Sequence, residues 1–235
     1  MRPDHPLLVH RARLEARGHS GPWVALFDID STLMDTGPRN AAILKAAFET
    51  IPGLAPWRSR WDGTAVSWNV LEPLRQMGVD EAVLAQVGAF WQDRFFTDEW
   101  LAHDTPYPGA ADFLHHLKAQ GFRLAYLTGR HTDGMEAGTR KSFVTHGLPS
   151  GTDERFFFKP TFSMGDKEFK EAACRDIAAL GTLVVSVDNE PANVNLFRRE
   201  FPDALVVWLE TVTSPHPEPL IPGIDRAGPG YFLDR

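Results

Sequence analysis

Apolar residues gather along this chain in short, nearly unbroken runs, each closing on polar residues. They are Trp23 to Asp30 (WVALFDID), Phe122 to Gly129 (FRLAYLTG), Thr182 to Asn189 (TLVVSVDN) and Ala204 to Glu210 (ALVVWLE), with Arg155 to Pro160 (RFFFKP) as a fifth. Runs of this length predict strands covered on both faces, as in a parallel sheet. Helical spacing falls between them, at Gly109 to Gln120 (ending at Gly121), Asp166 to Leu180 (ending at Gly181) and Pro191 to Phe201. A glycine after the last turn and a proline in the first are stop and start signals of a helix. Strand and helix in alternation predict a doubly wound α/β fold, Rossmann-like, with a parallel sheet in a three-layer sandwich.

Between the first strand and Gly109 lie about 75 residues without a strand pattern, too long for a plain loop. Pro38 to Thr50, Ala65 to Met77 and Asp80 to Phe96 read as helices, with a break at IPGLAPW. The expected organisation is a small α-helical cap at residues 37–105 on a core formed by residues 1–36 and 106–235. Trp57, Trp61, Trp68, Trp91 and Trp100 make the cap aromatic, and tryptophans at helical spacing are expected mainly to fill its interior. Leu7, Leu8, Val9 and Leu14 predict one short helix packed on the domain edge. The tail from Thr211, with five prolines in 25 residues, is expected to run irregularly around the core.

A net charge of -7 argues against a broad nucleic-acid footprint and against an anionic membrane surface. A small anionic substrate stays open, because one metal ion and a few lysines reverse the local field. No run is apolar for the roughly 18 residues a membrane-spanning helix needs, and the first residues lack the apolar core of a leader. Cys174 is the single cysteine, so no internal disulfide forms and a reducing cytoplasm is the expected location. GxxxxGK[ST] and GxSxG are both absent, and the nine histidines show no metal-ligand spacing.

In doubly wound sheets ligands bind beyond the carboxyl ends of the strands. Asp28, Asp30, Thr128 and Asp188 all fall there. Asp28 and Asp30 sit two apart, so in an extended strand both carboxylates face one spot. Two close carboxylates repel unless a cation or a raised pKa separates their roles, which suits a metal-assisted nucleophile paired with a general acid/base.

FDIDSTL (Phe27 to Leu33), YLTGR (Tyr126 to Arg130), the lysines of FFFKP and DKEFK, and SVDNEPANV (Ser186 to Val194) resemble, in order, the four motifs of the haloacid dehalogenase superfamily. The resemblance spans Trp23 to about Glu210 and implies the fold above. It also implies a Mg²⁺-dependent phosphomonoester hydrolase working through an aspartyl-phosphate on Asp28, with Asp30 as general acid/base and Thr128 holding the phosphoryl group. Arg130 is expected as readily toward solvent or the cap as toward phosphate. Two lysines compete for the third motif. Lys159 resembles the Lys-Pro of many capped phosphatases, and Lys170 resembles the Asp-x-x-x-Lys of the polynucleotide 3′-phosphatase branch; the helix carrying Lys170 favours it. The implied metal ligands are Asp28, Asp30 through its carbonyl, and Asp188. Asn189 departs from the family pattern, which usually has a second Asp there, so Asn189 and Asn193 are left to offer amide oxygens or outer support. The implied partner is a small phosphorylated substrate, with a polynucleotide 3′-end open but unsupported, and no membrane or protein partner. Rival readings are a phosphomutase of the same superfamily and a non-catalytic binding or regulatory protein on the same fold.

Overall fold

The structure is a computed structural model, and it describes residues 5–63 and 68–231. Helix α1 (Pro6–Ala16) precedes strand β1 (Trp23–Phe27). A short antiparallel pair, β2 (Met34–Asp35) with β3 (Thr105–Pro106), brackets an insert containing α2 (Gly37–Thr50), α3 (Leu71–Gln76) and α4 (Glu81–Phe95). The chain then alternates through α5 (Ala110–Ala119), β4 (Phe122–His131), α6 (Thr132–Thr145), β5 (Arg155–Lys159), α7 (Asp166–Leu180), β6 (Thr182–Asp188), α8 (Pro191–Glu200), β7 (Leu205–Leu209) and β8 (Ile224–Ala227).

The main sheet runs in the order β5-β4-β1-β6-β7-β8, and every pairing in it is parallel. It is the Rossmann-like α/β architecture of the haloacid dehalogenase fold, and its strand order reverses between β1 and β6. That reversal is where a doubly wound sheet opens a crevice for ligand. Successive residues of β1 alternate between two cores. Ala25 and Phe27 pack toward α1, α5 and α6, while Val24 and Leu26 pack toward α7 and α8. Both faces are thereby covered, which explains why the strands read as continuous apolar runs. Phe27 is fully buried, and its truncation to Ala would cost about 3–5 kcal/mol.

The insert has a core of its own. Leu44, Phe48, Leu54, Leu74, Leu84 and Val87 are buried together, with Trp57, Trp61 and Trp91 packed against them. Trp68 is different: it is 52% exposed and belongs to no core. The helix expected at Ala65 to Met77 is reduced to Leu71–Gln76, where the Asn69 side chain accepts from the Leu71 N–H at 3.0 Å and starts the first turn. Residues 65–67 of that expectation lie outside the described residues.

Two further elements depart from the sequence pattern. Helix α6 lies in a stretch for which the sequence pattern predicted no element. A Cβ at Gly138 would stand 2.5 Å from the Asp98 carbonyl oxygen, so glycine here permits close packing of α6 on the insert. The tail is less irregular than expected, because Ile224–Ala227 adds an edge strand beside β7. Its charged Asp225 and Arg226 suit an edge, where charge discourages further pairing.

Candidate active site

Strand β1 stops at Phe27, although the Asp28 N–H continues the ladder by donating to Val187 O at 3.0 Å. Beyond it the chain curls instead of staying extended. The Ile29 carbonyl accepts from the amides of Thr32, Leu33 and Met34, and Ser31 takes a left-handed φ of 57°. The extended geometry assumed for Asp28 and Asp30 therefore ends between them. Their carboxylates border the same cavity of about 730 Å³ but take different partners.

Asp28 looks down into the sheet edge. Its Oδ1 accepts from Lys170 Nζ at 2.7 Å, and the same ammonium donates to Asp188 Oδ2 at 2.8 Å. Lys170 reaches both from the second turn of α7, and all three residues are buried. Asp188 ends β6 and is further held by the Glu190 N–H at 2.8 Å and by Asn193 Nδ2 at 3.0 Å to each oxygen. Burial pushes the Asp28 carboxyl up to about 8; Lys170 opposes this, and Asp188 adds to it. One ammonium is divided between two carboxylates, so Asp28 is under-compensated. Burial acts to lower the Lys170 pKa, but the charges of Asp188 and Asp28 outweigh it and hold the ammonium protonated.

Asp30 turns the other way. Its Oδ1 accepts from Arg39 Nη2 at 2.6 Å and from Arg130 Nη2 at 2.7 Å, and its Oδ2 accepts from Arg130 Nε at 3.1 Å. Both guanidiniums also hold Asp104: Arg39 Nε at 2.8 Å and Arg130 Nη2 at 2.6 Å. Arg39 lies in the first turn of α2 and Asp104 just before β3, so this quartet ties both junctions of the insert to the core. Burial alone would raise the Asp30 carboxyl, but Arg130 and Arg39 overcome it and hold it well below the usual carboxylate range. Arg130 is thus turned inward, bonded to Thr139 as well, and not toward solvent. The sequence reading missed Arg39 and Asp104. No local signal marks them, since a buried arginine has the same letters as an exposed one.

The remaining predicted residues occupy less central places. Thr128 is buried in β4, where its hydroxyl accepts the Arg130 N–H at 3.2 Å; its neighbour Gly129 lines the cavity. Lys159 ends β5 and also lines the cavity, and its Nζ donates to Asp166 Oδ1 at 2.6 Å. Of the two competing lysines, Lys170 is therefore the one brought to Asp28. Asn189 is occupied elsewhere: its side-chain oxygen accepts from the Thr32 hydroxyl at 3.0 Å, and its amide nitrogen donates to Val212 O. Glu190 accepts from the N–H and hydroxyl of Ser214 at 2.8 and 2.7 Å. Asn189 and Glu190 thus serve as clasps for the tail.

The floor of the site fits a hard divalent cation. Asp28 and Asp188 already converge on one positive group, and they supply oxygen ligands of the kind Mg²⁺ takes. Among the described residues no cluster of three or more His, Cys, Asp or Glu side chains converges as a metal site. Two carboxylates and a backbone carbonyl suffice for an ion that keeps several of its waters.

Comparison with known proteins bears on the family and the fold. The haloacid dehalogenase-like hydrolase family matches residues 24–194. The fold is similar to that of protein tyrosine kinase A of Mycobacterium tuberculosis, at 18% identity over 90% of this chain and 94% of that one, with a TM-score of 0.55. A candidate phosphatase of Clostridium difficile gives 11% identity over 87% and 93%, with a TM-score of 0.56. A candidate haloacid dehalogenase-like hydrolase of Bacteroides fragilis gives 14% over 87% and 95%, at 0.51. At such identities the likeness is one of fold. No curated protein matches the sequence. With the family match covering well over half of the chain, this protein belongs to the haloacid dehalogenase-like hydrolases.

Proposed function

We propose that this protein hydrolyses phosphomonoesters with Mg²⁺, and that residues 37–105 act as a cap over the site. The observation that carries the reading is the ammonium of Lys170 set between Asp28 Oδ1 and Asp188 Oδ2 at the sheet's switch point. An Asp28 oxygen attacks phosphorus, forming an aspartyl-phosphate as the ester P–O bond breaks. Asp30 delivers a proton to the leaving oxygen, then takes one from the water that cleaves the acyl-phosphate. Lys170 and the Thr128 hydroxyl hold phosphoryl oxygens against Asp28. Asp28, the Asp30 carbonyl and Asp188 would hold Mg²⁺, whose positive charge would offset the repulsion between carboxylate and phosphate.

Asp30 serves the second half-reaction in its ionised form, the form that Arg39 and Arg130 favour. The first half needs it protonated. Because Arg39 sits on the insert, movement of the cap would relax one of the two guanidiniums and let Asp30 accept that proton. The rival reading, a binding or regulatory module without turnover, draws on the same observation, since an Asp30 saturated by arginines does no acid chemistry. Hydrolysis of a phosphomonoester panel, with and without Mg²⁺, separates the two. The expected result is metal-dependent turnover that Asp28→Asn abolishes. Folded protein with ample Mg²⁺ and no turnover on any panel member would transfer the case to the binding module.

A further inference from the structure

The turn beyond Asp30 is held from outside as well as from within. Ser31 takes a left-handed φ of 57°, a conformation that costs free energy for a residue with a Cβ and persists where its surroundings impose it. From within, the Ser31 N–H donates to Met34 O at 2.7 Å. From outside, the restraint comes from the tail that follows β7.

Two hydroxyls of the tail close on successive carbonyls of this turn. Thr211 Oγ1 donates to Ser31 O, and the Tyr231 hydroxyl donates to Thr32 O at 3.2 Å. They arrive by separate routes. Thr211 lies just beyond β7, and its side chain also meets the hydroxyl of Tyr107, whose N–H donates to Leu33 O at 2.9 Å. Tyr231 is buried against Phe27 and Phe113, with ring centroids at 6.2 and 5.3 Å, and its N–H donates to Pro108 O at 2.8 Å. Gly109, at φ 79°, makes room for it, because a Cβ there would collide with the Tyr231 carbonyl oxygen. Between these two anchors the clasps of Asn189 on Val212 and of Glu190 on Ser214 hold the tail at the cavity edge. Asn189 also accepts from the Thr32 hydroxyl, so the same short turn is gripped once more.

We infer that Thr211 and Tyr231 are positioning residues for the general acid/base: they fix the two peptides that follow Asp30 and so set where its carboxylate stands against the leaving oxygen. The inference rests on the hydrolase reading above. Arg39 and Arg130 hold Asp30 by its carboxylate oxygens, whereas the tail holds its main chain. When an arginine lets go, as delivery of the proton requires, the main chain is what keeps Asp30 in place. Asp28 is secured on the other side of the turn, by its N–H on Val187 O and its carboxylate on Lys170. Loosening the tail therefore shifts the acid in preference to the nucleophile, and a displacement of about 1 Å at a reacting group costs up to about 10²-fold in rate.

The test compares kcat/KM for benzyl phosphate and 4-nitrophenyl phosphate at saturating Mg²⁺. This constant reports the half-reaction in which Asp30 gives its proton. The benzyl alkoxide needs that proton in order to leave, and 4-nitrophenolate leaves without it. Thr211→Val, nearly isosteric, should lower the benzyl value about tenfold and the nitrophenyl value about twofold, so that their ratio falls about fivefold. Thr211→Ser keeps the hydroxyl and should bring the ratio back to within about twofold of wild type. Tyr231→Phe keeps the ring and should lower the ratio about threefold. The ratio cancels the amount of folded enzyme, so a destabilised variant still reports on the acid. A ratio equal to wild type in Thr211→Val or Tyr231→Phe, or one that Thr211→Ser fails to restore, would overturn the positioning role and leave the hydrolase reading standing. Absence of turnover of both esters by wild type would overturn both.

Discussion

On the floor of the cavity one ammonium, that of Lys170, is shared by Asp28 and Asp188. At its side two guanidiniums, those of Arg39 and Arg130, face the two carboxylates of Asp30 and Asp104. The first cluster is buried, as are Arg39, Arg130 and Asp104 of the second, while Asp30 is half-buried; the first carries a deficit of positive charge and the second is balanced. Buried charge without full compensation is costly and persists where something else supplies the missing partner. The floor is therefore the part of the molecule waiting for a cation and a substrate. The quartet is complete in itself and acts as a fastening between insert and core.

The contrast is broken most directly on the floor. Lys170→Met should lower kcat by about 10²–10³-fold, because it removes the one fixed donor at the nucleophile. Lys159→Ala should cost only about fivefold, since its partner Asp166 is largely solvated. Steady-state kinetics on one substrate reads both. Equal losses would mean that the floor extends to β5 and that the two lysines share the task.

The quartet answers to stability instead. Arg39→Ala leaves Asp104 buried with half its partners and should destabilise the protein by about 3–5 kcal/mol in chemical denaturation. Replacing both members with apolar residues, Arg39→Met with Asp104→Leu, should recover a large part of that loss, because no unpaired charge remains between them. If the double variant is as unstable as the sum of the singles, the balanced-fastening account is wrong.

The two clusters also titrate in opposite senses. Asp30 has its pKa depressed from the ordinary 3.8, so its contribution to stability is present above 3.8 and is lost as the pH falls further. Asp28 is raised from 3.8 to about 8, so between those values the folded protein retains a proton that the unfolded chain has released. Its contribution is present below 3.8 and declines as the pH rises to about 8. Mg²⁺ competes with that proton. Its affinity should rise by up to about tenfold per pH unit between about pH 6 and 8, then level off. Calorimetric titration across the range measures this, and Asp28→Asn should flatten the profile. A wild-type profile already flat from about pH 6 would show that Asp28 carries no such proton.

Much of this was legible in the sequence, and the part that was not has a common cause. The strands announce themselves because burial on both faces leaves an unbroken apolar run. Asp28, Asp30, Thr128 and Asp188 were found because each stands where such a run ends. Lys170 was favoured over Lys159 by its place on a helix but not decided, because spacing along a helix does not say how far a side chain reaches across to another strand. Arg39 and Asp104 were invisible, being 65 residues apart and joined only once β2 and β3 close the insert. Helix α6 went unpredicted, and Gly138, which lets it pack closely on Asp98, contributes no apolar side chain to a helical stripe. Of the five tryptophans noted as filling, Trp57, Trp61 and Trp91 pack against the core of the insert, Trp91 also borders the cavity, and Trp68 stands exposed.

Asn189 sharpens the comparison by the smallest effect. Its position follows Asp188, where a second acid would relieve nothing and add to the deficit. Its amide instead closes a clasp, accepting from Thr32 and donating to the Val212 carbonyl of the tail. Asn189→Asp keeps the Thr32 contact but sets a carboxylate against that carbonyl. The expected result is a loss of about 1–2 kcal/mol in stability with Mg²⁺ affinity within about twofold of wild type. Tighter Mg²⁺ binding by an order of magnitude, with stability unchanged, would instead make Asn189 an absent metal ligand. The floor would then have been built for three acids and run with two, Asp28 and Asp188.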